Sequence, residues 1–294
     1  MKLVAGRGAT IEDLNRIRGR LSRTKSGRLI EAALPAAVTT LILSDIIGDP
    51  PHLIGSGPTI PFDEDVRILD LLQKYQIEPE SKIKNILLSN APPKLSYNPN
   101  FRIIGRNRVA LDEIARLGKE SGFDSIILGD TLSGEARLIG SAYADMARYL
   151  RGMIARSQLE RSISSVSFPS GTLERVCSIK KGTRPLLLIA GGEPTVTLKG
   201  AGRGGRNQEL ALSFSESSTD LLDVTFLSGG TDGQDGPCNA AGAWVRSNDK
   251  IPGGHEALNN NDSFNLFQNC RPDQHIKTGL TFTNVMDIHI LQLN

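Results

Sequence analysis

The chain is poor in aromatic residues, in cysteine and histidine, and in net charge. Aromatics make up 5% of its 294 residues, with a single tryptophan. That leaves little surface for stacking nucleobases, the usual anchor of single-stranded nucleic acid. The formal net charge is +2, too small to draw in a polyanion or a membrane surface overall. Three cysteines, Cys177, Cys238 and Cys270, stand apart without CxxC spacing, so they read as reduced thiols of a cytoplasmic protein. The four histidines (His52, His255, His275 and His289) are scattered without ligand spacing, which argues against a histidine metal site. No apolar run reaches the ~18–20 residues of a membrane helix. The start has no apolar core of a secretory signal. It is cationic, however, with Arg7, Arg16, Arg18, Arg20, Arg23, Lys25 and Arg28 against Glu12 and Asp13. A mitochondrial presequence therefore stays open beside the cytoplasm.

What the chain does have is glycine, 30 residues of it, in an otherwise ordinary globular composition. Glycine permits tight turns and close backbone approach to ligands. The spacing of Ile11, Leu14, Ile17 and Leu21 predicts a helix, with Thr10 as N-cap. Ala36–Leu43 reads as a buried strand, residues 66–75 as a helix, and Lys84–Leu88 as the start of another. Residues 91–100 read as a linker. The pattern then restarts: strand at Phe101–Ile104, helix at Val109–Gly122, strand at Ser125–Leu128 and a long helix from Gly134. Such alternation predicts an α/β fold of Rossmann-like parallel sheet layers. Leu186–Ala190 and Val224–Leu227 are two further buried strands with a helix, Glu209–Ser217, between them. Val285–Leu293 is a final strand, and Ser157–Gly182 stays ambiguous. The expected domains are 1–97 and 98–294.

Three strands run into loops bearing glycine and acids: TLILSDIIGD, LLLIAGGEPT and VTFLSGGTDGQDGP. Ligands of open α/β sheets bind at such strand ends. In TVTLKGAGRGGRNQELALSF, Gly200, Gly202 and Gly205 fit G-x-G-x-x-G between a strand and a helix. Backbone N–H groups there can face an anion. Arg203 and Arg206 add guanidinium forks suited to phosphate or carboxylate. A dinucleotide site would need an acid after the next strand, where Ser228, Gly229 and Gly230 stand instead. The loop therefore reads as an anion loop. Asp232 and Asp235 lie three residues apart in a glycine-rich turn, and either one suits Mg²⁺ or a substrate hydroxyl. The competing reading is a pair of Asx turns that cap the following helix.

At these residues the chain resembles the class II (glycerate 2-kinase) family. GGEPTVTL, GRGGRNQELAL, SGGTDGQDGPCNAAGA, NNNDSFNLF and TGLTFTNVMDIHIL are similar, in that order, to its MOFRL region, here 184–294. LNRIRGRLSRTKSGRL, LILSDIIGD, GSGPTIP and LGDTLSGEAR resemble its other signature segments. The resemblance implies ATP-dependent phosphorylation of D-glycerate, at its 2-hydroxyl, with Mg²⁺ as cofactor and a homodimer as candidate assembly. It implies Arg206, Asp232 and Asp235 as catalytic residues. Gly200, Gly202, Arg203, Gly204, Gly205, Asn207 and Glu193 would bind phosphate or substrate, and Asp45, Ser56, Thr59, Lys25 and Arg28 would contribute from residues 1–97. Arg137 and Glu135 are either site residues or a structural pair. Family members begin upstream of Met1, with a Ser-Gly-Gly-Gly-Ser stretch and a lysine-bearing loop. Two further readings therefore stay open: an inactive shortened member that keeps ligand binding, and a nicotinamide-dependent hydroxypyruvate reductase. Asn239 stands where the family pattern prefers Asp, and Phe282 where a glycine is expected.

Overall fold

The computed structural model describes residues 4, 6–62, 67–94, 99–180 and 182–294. The chain divides into two compact units, residues 1–105 and 106–294. The domain boundary expected at 97/98 falls outside the described residues, as does part of the linker and the start of the helix expected at 66.

In the first unit, α1 (Ile11–Leu21) begins at Thr10, whose hydroxyl accepts the Asp13 amide at 3.2 Å. It is followed by α2 (Arg28–Ala33), β1 (Thr39–Leu43), α3 (Ile68–Lys74), α4 (Ser81–Ser89) and β2 (Asn100–Gly105). Leu14 and Ile17 of α1 pack with Ile68, Leu71, Leu72 and Leu87, whereas Ile11 and Leu21, at the ends of the predicted stripe, are exposed, so the helical spacing has buried only the middle of the face it predicts. Asp13 sits buried beneath them. Its burial favours the neutral acid, but the Tyr75 hydroxyl at 2.6 Å and the Lys74 ammonium at 2.9 Å outweigh that and hold its carboxyl below the ordinary range.

The strand predicted at Ala36–Leu43 is shorter, and only Ile42 is buried; Leu41 is 62% exposed. The reason is topological. Its parallel sheet has two strands, β1 and β2, among the described residues, and along β1 cover reaches only Ile42. The strand read as opening the second domain, Phe101–Ile104, is β2, and its partner is β1 of the first unit.

The second unit runs α5 (Asn107–Glu120), β3 (Asp124–Glu135), α6 (Ala136–Leu150), α7 (Arg156–Ser164), α8 (Thr172–Cys177), β4 (Leu186–Thr195), α9 (Arg206–Ser217), β5 (Val224–Gly230), β6 (Gly242–Arg246), α10 (Gly254–Asn259), α11 (Ser263–Cys270), β7 (His275–Ile276) and β8 (Asp287–Leu293). The ambiguous stretch 157–182 thus holds two short helices. The sheet order is β3-β4-β8-β5-β6-β7. β3 and β4 are parallel, as an α/β chain predicts, while β8 inserts antiparallel between β4 and β5. This insertion brings the start of β8 level with the ends of β4 and β5: Asp287 lies opposite both Gly192 and Gly230.

Helix α9 is buried along most of its length, from Asn207 to Ser215. It lies against α6 at Gly140, where a Cβ would come within 2.5 Å of the Leu210 carbonyl oxygen. The two backbones meet because nothing larger stands there. Phe214 stacks on Phe226 of β5 at 5.0 Å, joining the helix to the sheet. No helix among the described residues is long and apolar enough to cross a membrane.

Candidate active site

Five segments of the second unit converge on one cleft of about 670 Å³, one of them the turn before α11 through Asn261. The end of β4 contributes Pro194 and Thr195, and the segment after it Val196 and Leu198. The glycine loop contributes Gly202, Gly204 and Gly205, α9 contributes Arg206 and Glu209, and the loop after β5 contributes Asp232 and Gln234–Pro237. Arg206 and Asp232, assigned by sequence to one site, line the same cavity.

Arg206 opens α9. Its Nε and Nη2 donate to the two oxygens of Asp287 at 2.5 and 3.1 Å, and its Nη1 donates to Glu193 Oε1 at 3.0 Å. Burial works against its charge. The two carboxylates more than compensate, and the guanidinium is held protonated still more firmly than usual. Asp287 is itself buried, and burial lifts its carboxyl above the ordinary range even with Arg206 beside it. Asp232 contributes to that rise by like-charge repulsion.

Asp235 is a cap. Its Oδ1 accepts the Asn207 amide at 3.0 Å, and its Oδ2 accepts the Gln208 amide and side chain, each at 2.9 Å. These are amides of the first turn of α9, which an N-cap must satisfy. Desolvation raises its carboxyl above the ordinary range, despite those donors. The capping alternative therefore describes its geometry, although the capped helix precedes it in sequence. Asp232 differs. One of its oxygens accepts the Gln234 amide at 3.0 Å, and the other has no partner among the described residues.

The glycine loop needs correction as a cradle. The amides of Lys199 and Gly200 donate to Asn261 Oδ1, those of Ala201 and Gly202 to Asn260, and that of Arg203 to Asp262 Oδ1. The first half of the loop is thus bound to the NNND turn. Gly200 and Gly202 are glycine because Asn260 backbone atoms lie within 2.5 Å of where a Cβ would sit. The amides of Gly204, Gly205 and Arg206, by contrast, find no partner among the described residues. Arg203 is also redirected. Its Nε and Nη2 donate to the Pro237 carbonyl at 3.1 and 2.9 Å, and its guanidinium lies 4.6 Å from the Phe264 ring centroid. Arg137 and Glu135 form the structural pair, at 3.7 Å, and Arg137 also binds buried Glu209.

Behind the cap runs a polar chain through the core. His289 Nδ1 lies 2.9 Å from Ser228 Oγ, which donates to Asn207 Oδ1 at 2.6 Å, and Asn207 Nδ2 donates to Asp235. For Ser228 to donate onward, His289 must carry its proton on Nδ1. Burial, aided by the charge of Arg206, pushes its pKa down to about 3, and burial with nearby Lys277 lowers that of His275 to about 4. Below the ordinary value of 6.5 the unfolded chain takes up protons that these folded imidazoles refuse. Stability therefore falls as pH drops from about 6.5 toward 4. On the order of 3 kcal/mol should be lost by pH 4 through His289. Urea midpoints at pH 7 and pH 4 measure this, and His289→Asn, which keeps a donor in the Nδ1 position, should flatten the fall. An unchanged slope in the variant would contradict the assignment.

Residues of the first unit fall into two groups. Lys25 Nζ reaches the Gly55 carbonyl at 3.1 Å and Ser56 Oγ at 3.3 Å, and buried Ser56 donates to Asn15. Asp45 stands exposed just beyond β1. Arg28 is not an open anion contact. It is buried, and its guanidinium holds the carbonyls of Gly19, Asn90 and Ala91 at 2.7–2.9 Å. Thr59, also buried, accepts from the Thr40 hydroxyl.

The MOFRL family model matches residues 186–287, and that of a domain of unknown function, DUF4147, matches residues 1–88. A glycerate kinase of Macaca fascicularis is 39% identical over 99% of this chain and 81% of its own length. The chain belongs to the glycerate kinase family. A D-glycerate 2-kinase of Thermotoga maritima is 37% identical over 96% of the chain and 63% of its own length. The crystal structure of a glycerate kinase from that organism superposes with a TM-score of 0.80 at 34% identity, covering 100% of this chain and 66% of that one. The chain spans about three fifths of the length of most curated glycerate kinases it matches.

Against this family background, Asp287 is the residue that sequence reasoning missed. The family segment TGLTFTNVMD ends on it, but hydrophobic pattern marks a final strand there without giving its direction. Only the antiparallel course of β8 brings Asp287 to the site. The glycine expected at position 282 has a physical counterpart. Phe282 has φ of +59° and is 92% exposed, a left-handed position that favours glycine. Asn239 is exposed, and the helix cap nearby is made by Asp235.

Proposed function

We propose that this protein transfers the γ-phosphoryl group of ATP to the 2-hydroxyl of D-glycerate. The observation that carries this reading is the shared cavity of Arg206 and Asp232, with the amides of Gly204, Gly205 and Arg206 free beside them. Phosphoryl transfer asks for alignment and charge neutralisation more than for covalent help. The free amides and the positive end of α9 would hold the phosphates. Arg206 would neutralise the charge on the moving phosphoryl group. Asp232 would receive the hydroxyl proton as the glycerate oxygen bonds to the γ-phosphorus and the bond to the β–γ bridging oxygen breaks, releasing ADP. Asp235 serves by fixing the first turn of α9, and Asp287 by fixing Arg206.

A Mg²⁺ ion would supply further neutralisation of phosphate charge. No group of three or more His, Cys, Asp or Glu side chains able to hold a metal gathers among the described residues. Asp232 is the residue that would hold it, since a carboxylate offers about four lone-pair sites and only one is used.

The test is ADP formation by this chain with ATP, Mg²⁺ and D-glycerate, with the product identified as 2- or 3-phosphoglycerate. Glycerate-dependent ADP and 2-phosphoglycerate are expected. A preparation that is folded and forms no glycerate-dependent ADP would refute the proposal for this chain.

A further inference from the structure

The cleft has a second kind of lining that phosphate chemistry leaves unused. Pro194 lines it from the end of β4, Val196 and Leu198 from the segment that follows, and Pro237 from the loop after β5. Leu198 is 79% exposed, although its neighbours on both sides are pinned. The Thr197 amide and hydroxyl donate to Glu135, the Thr197 carbonyl accepts from Asn261, and the Lys199 amide donates to Asn261 Oδ1. The backbone thus holds an apolar side chain against solvent at the edge of an anion site, at the cost of leaving it wet.

We infer that Pro194, Val196, Leu198 and Pro237 form the subsite for the nucleobase of the phosphate donor. This rests on the kinase reading given above and extends it. Of the two substrates, glycerate is polar at every carbon, whereas the donor carries one flat, largely apolar group. An apolar wall beside phosphate-binding amides therefore matches the donor. A cleft of about 670 Å³ also lies within the range of sites for ligands of nucleotide size.

The same residues set how well the base is read. Asn261 spends its amide on Thr197, Lys199, Gly200 and Glu209, and Glu209 spends its carboxylate on Arg137 and Asn261. Base selectivity needs unspent donors and acceptors facing the edge of the ring. With these two committed, the subsite grips a base by its faces and discriminates weakly between adenine and guanine.

The experiment is calorimetric binding of ADP, GDP and inorganic tripolyphosphate to the whole chain, wild type and Leu198→Ser. Leu198 is exposed, so the serine variant should fold, and its circular dichroism and melting curve confirm that. The variant should weaken ADP and GDP each by about tenfold, the scale of losing one apolar side-chain contact, and leave tripolyphosphate unchanged. ADP and GDP should bind the wild type within about tenfold of each other. If ADP binds the variant as tightly as wild type, the subsite is wrong and the kinase reading stands. If Leu198→Ser weakens tripolyphosphate as much as ADP, Leu198 shapes the phosphate site and the base lies elsewhere. If neither ADP nor tripolyphosphate binds the wild type, the phosphate site itself is refuted and this inference falls with it.

Discussion

Replacing Arg206 with alanine is expected to lower glycerate-dependent ADP formation at least ~100-fold, the scale of removing one preorganised donor from a developing charge. The geometry adds a complication that the experiment must resolve. Arg206 is the ionic partner of Asp287, which is buried. Removing the cation leaves that carboxylate without its counter-charge, and breaking a buried pair from one side costs about 3–5 kcal/mol. A loss of activity in Arg206→Ala alone would not separate chemistry from unfolding. The double variant Arg206→Gln with Asp287→Asn removes both charges together and keeps amides where hydrogen bonds are needed. It should recover most of the lost denaturation midpoint and none of the lost turnover. Near-wild-type turnover in either variant would remove Arg206 from the mechanism. Turnover that returns together with stability would make it a structural residue.

How far the sequence revealed this arrangement depends on the range over which each feature is determined. Local features were legible. Thr10 as N-cap, the buried Leu14 and Ile17 of α1 and the run of α9 follow from spacing and capping within one or two turns. The meeting of Arg206 and Asp232 followed from a general rule about strand ends. What the sequence left hidden was pairing at long range. Gly200 and Gly202 look like a phosphate cradle because the pattern is right. Yet Asn260 and Asn261, about 60 residues away in sequence, take the amides that a cradle would use. Asp287 was invisible for a similar reason, since strand direction is not written in hydrophobic pattern. Arg28 and Arg203 show the same limit. Charge and position suggest anion contacts, but their guanidinium groups are satisfied by carbonyls.

Asp232 and Asp235, three residues apart, provide the sharpest separation of roles. Asp235 is buried and satisfies the first turn of α9 through both oxygens. Truncating it to alanine leaves the buried amides of Asn207 and Gln208 without acceptors, each at a cost of about 1–3 kcal/mol. Part of that returns because a desolvated carboxylate has also been removed, its raised pKa being the sign of that burden. A net loss of about 3 kcal/mol is expected, read as a lower urea midpoint with unchanged slope. Asp232 is only partly buried and caps nothing beyond its own turn. Asp232→Asn keeps that turn, because the amide oxygen accepts the Gln234 N–H as the carboxylate did. Its midpoint should therefore stay within about 0.5 kcal/mol of wild type, while turnover falls at least ~100-fold through loss of the proton acceptor. The two aspartates are thus expected to fail in opposite ways. An Asp235→Ala variant that keeps its stability and loses only turnover would exchange the roles, placing the base on the buried acid and leaving Asp232 as the spectator.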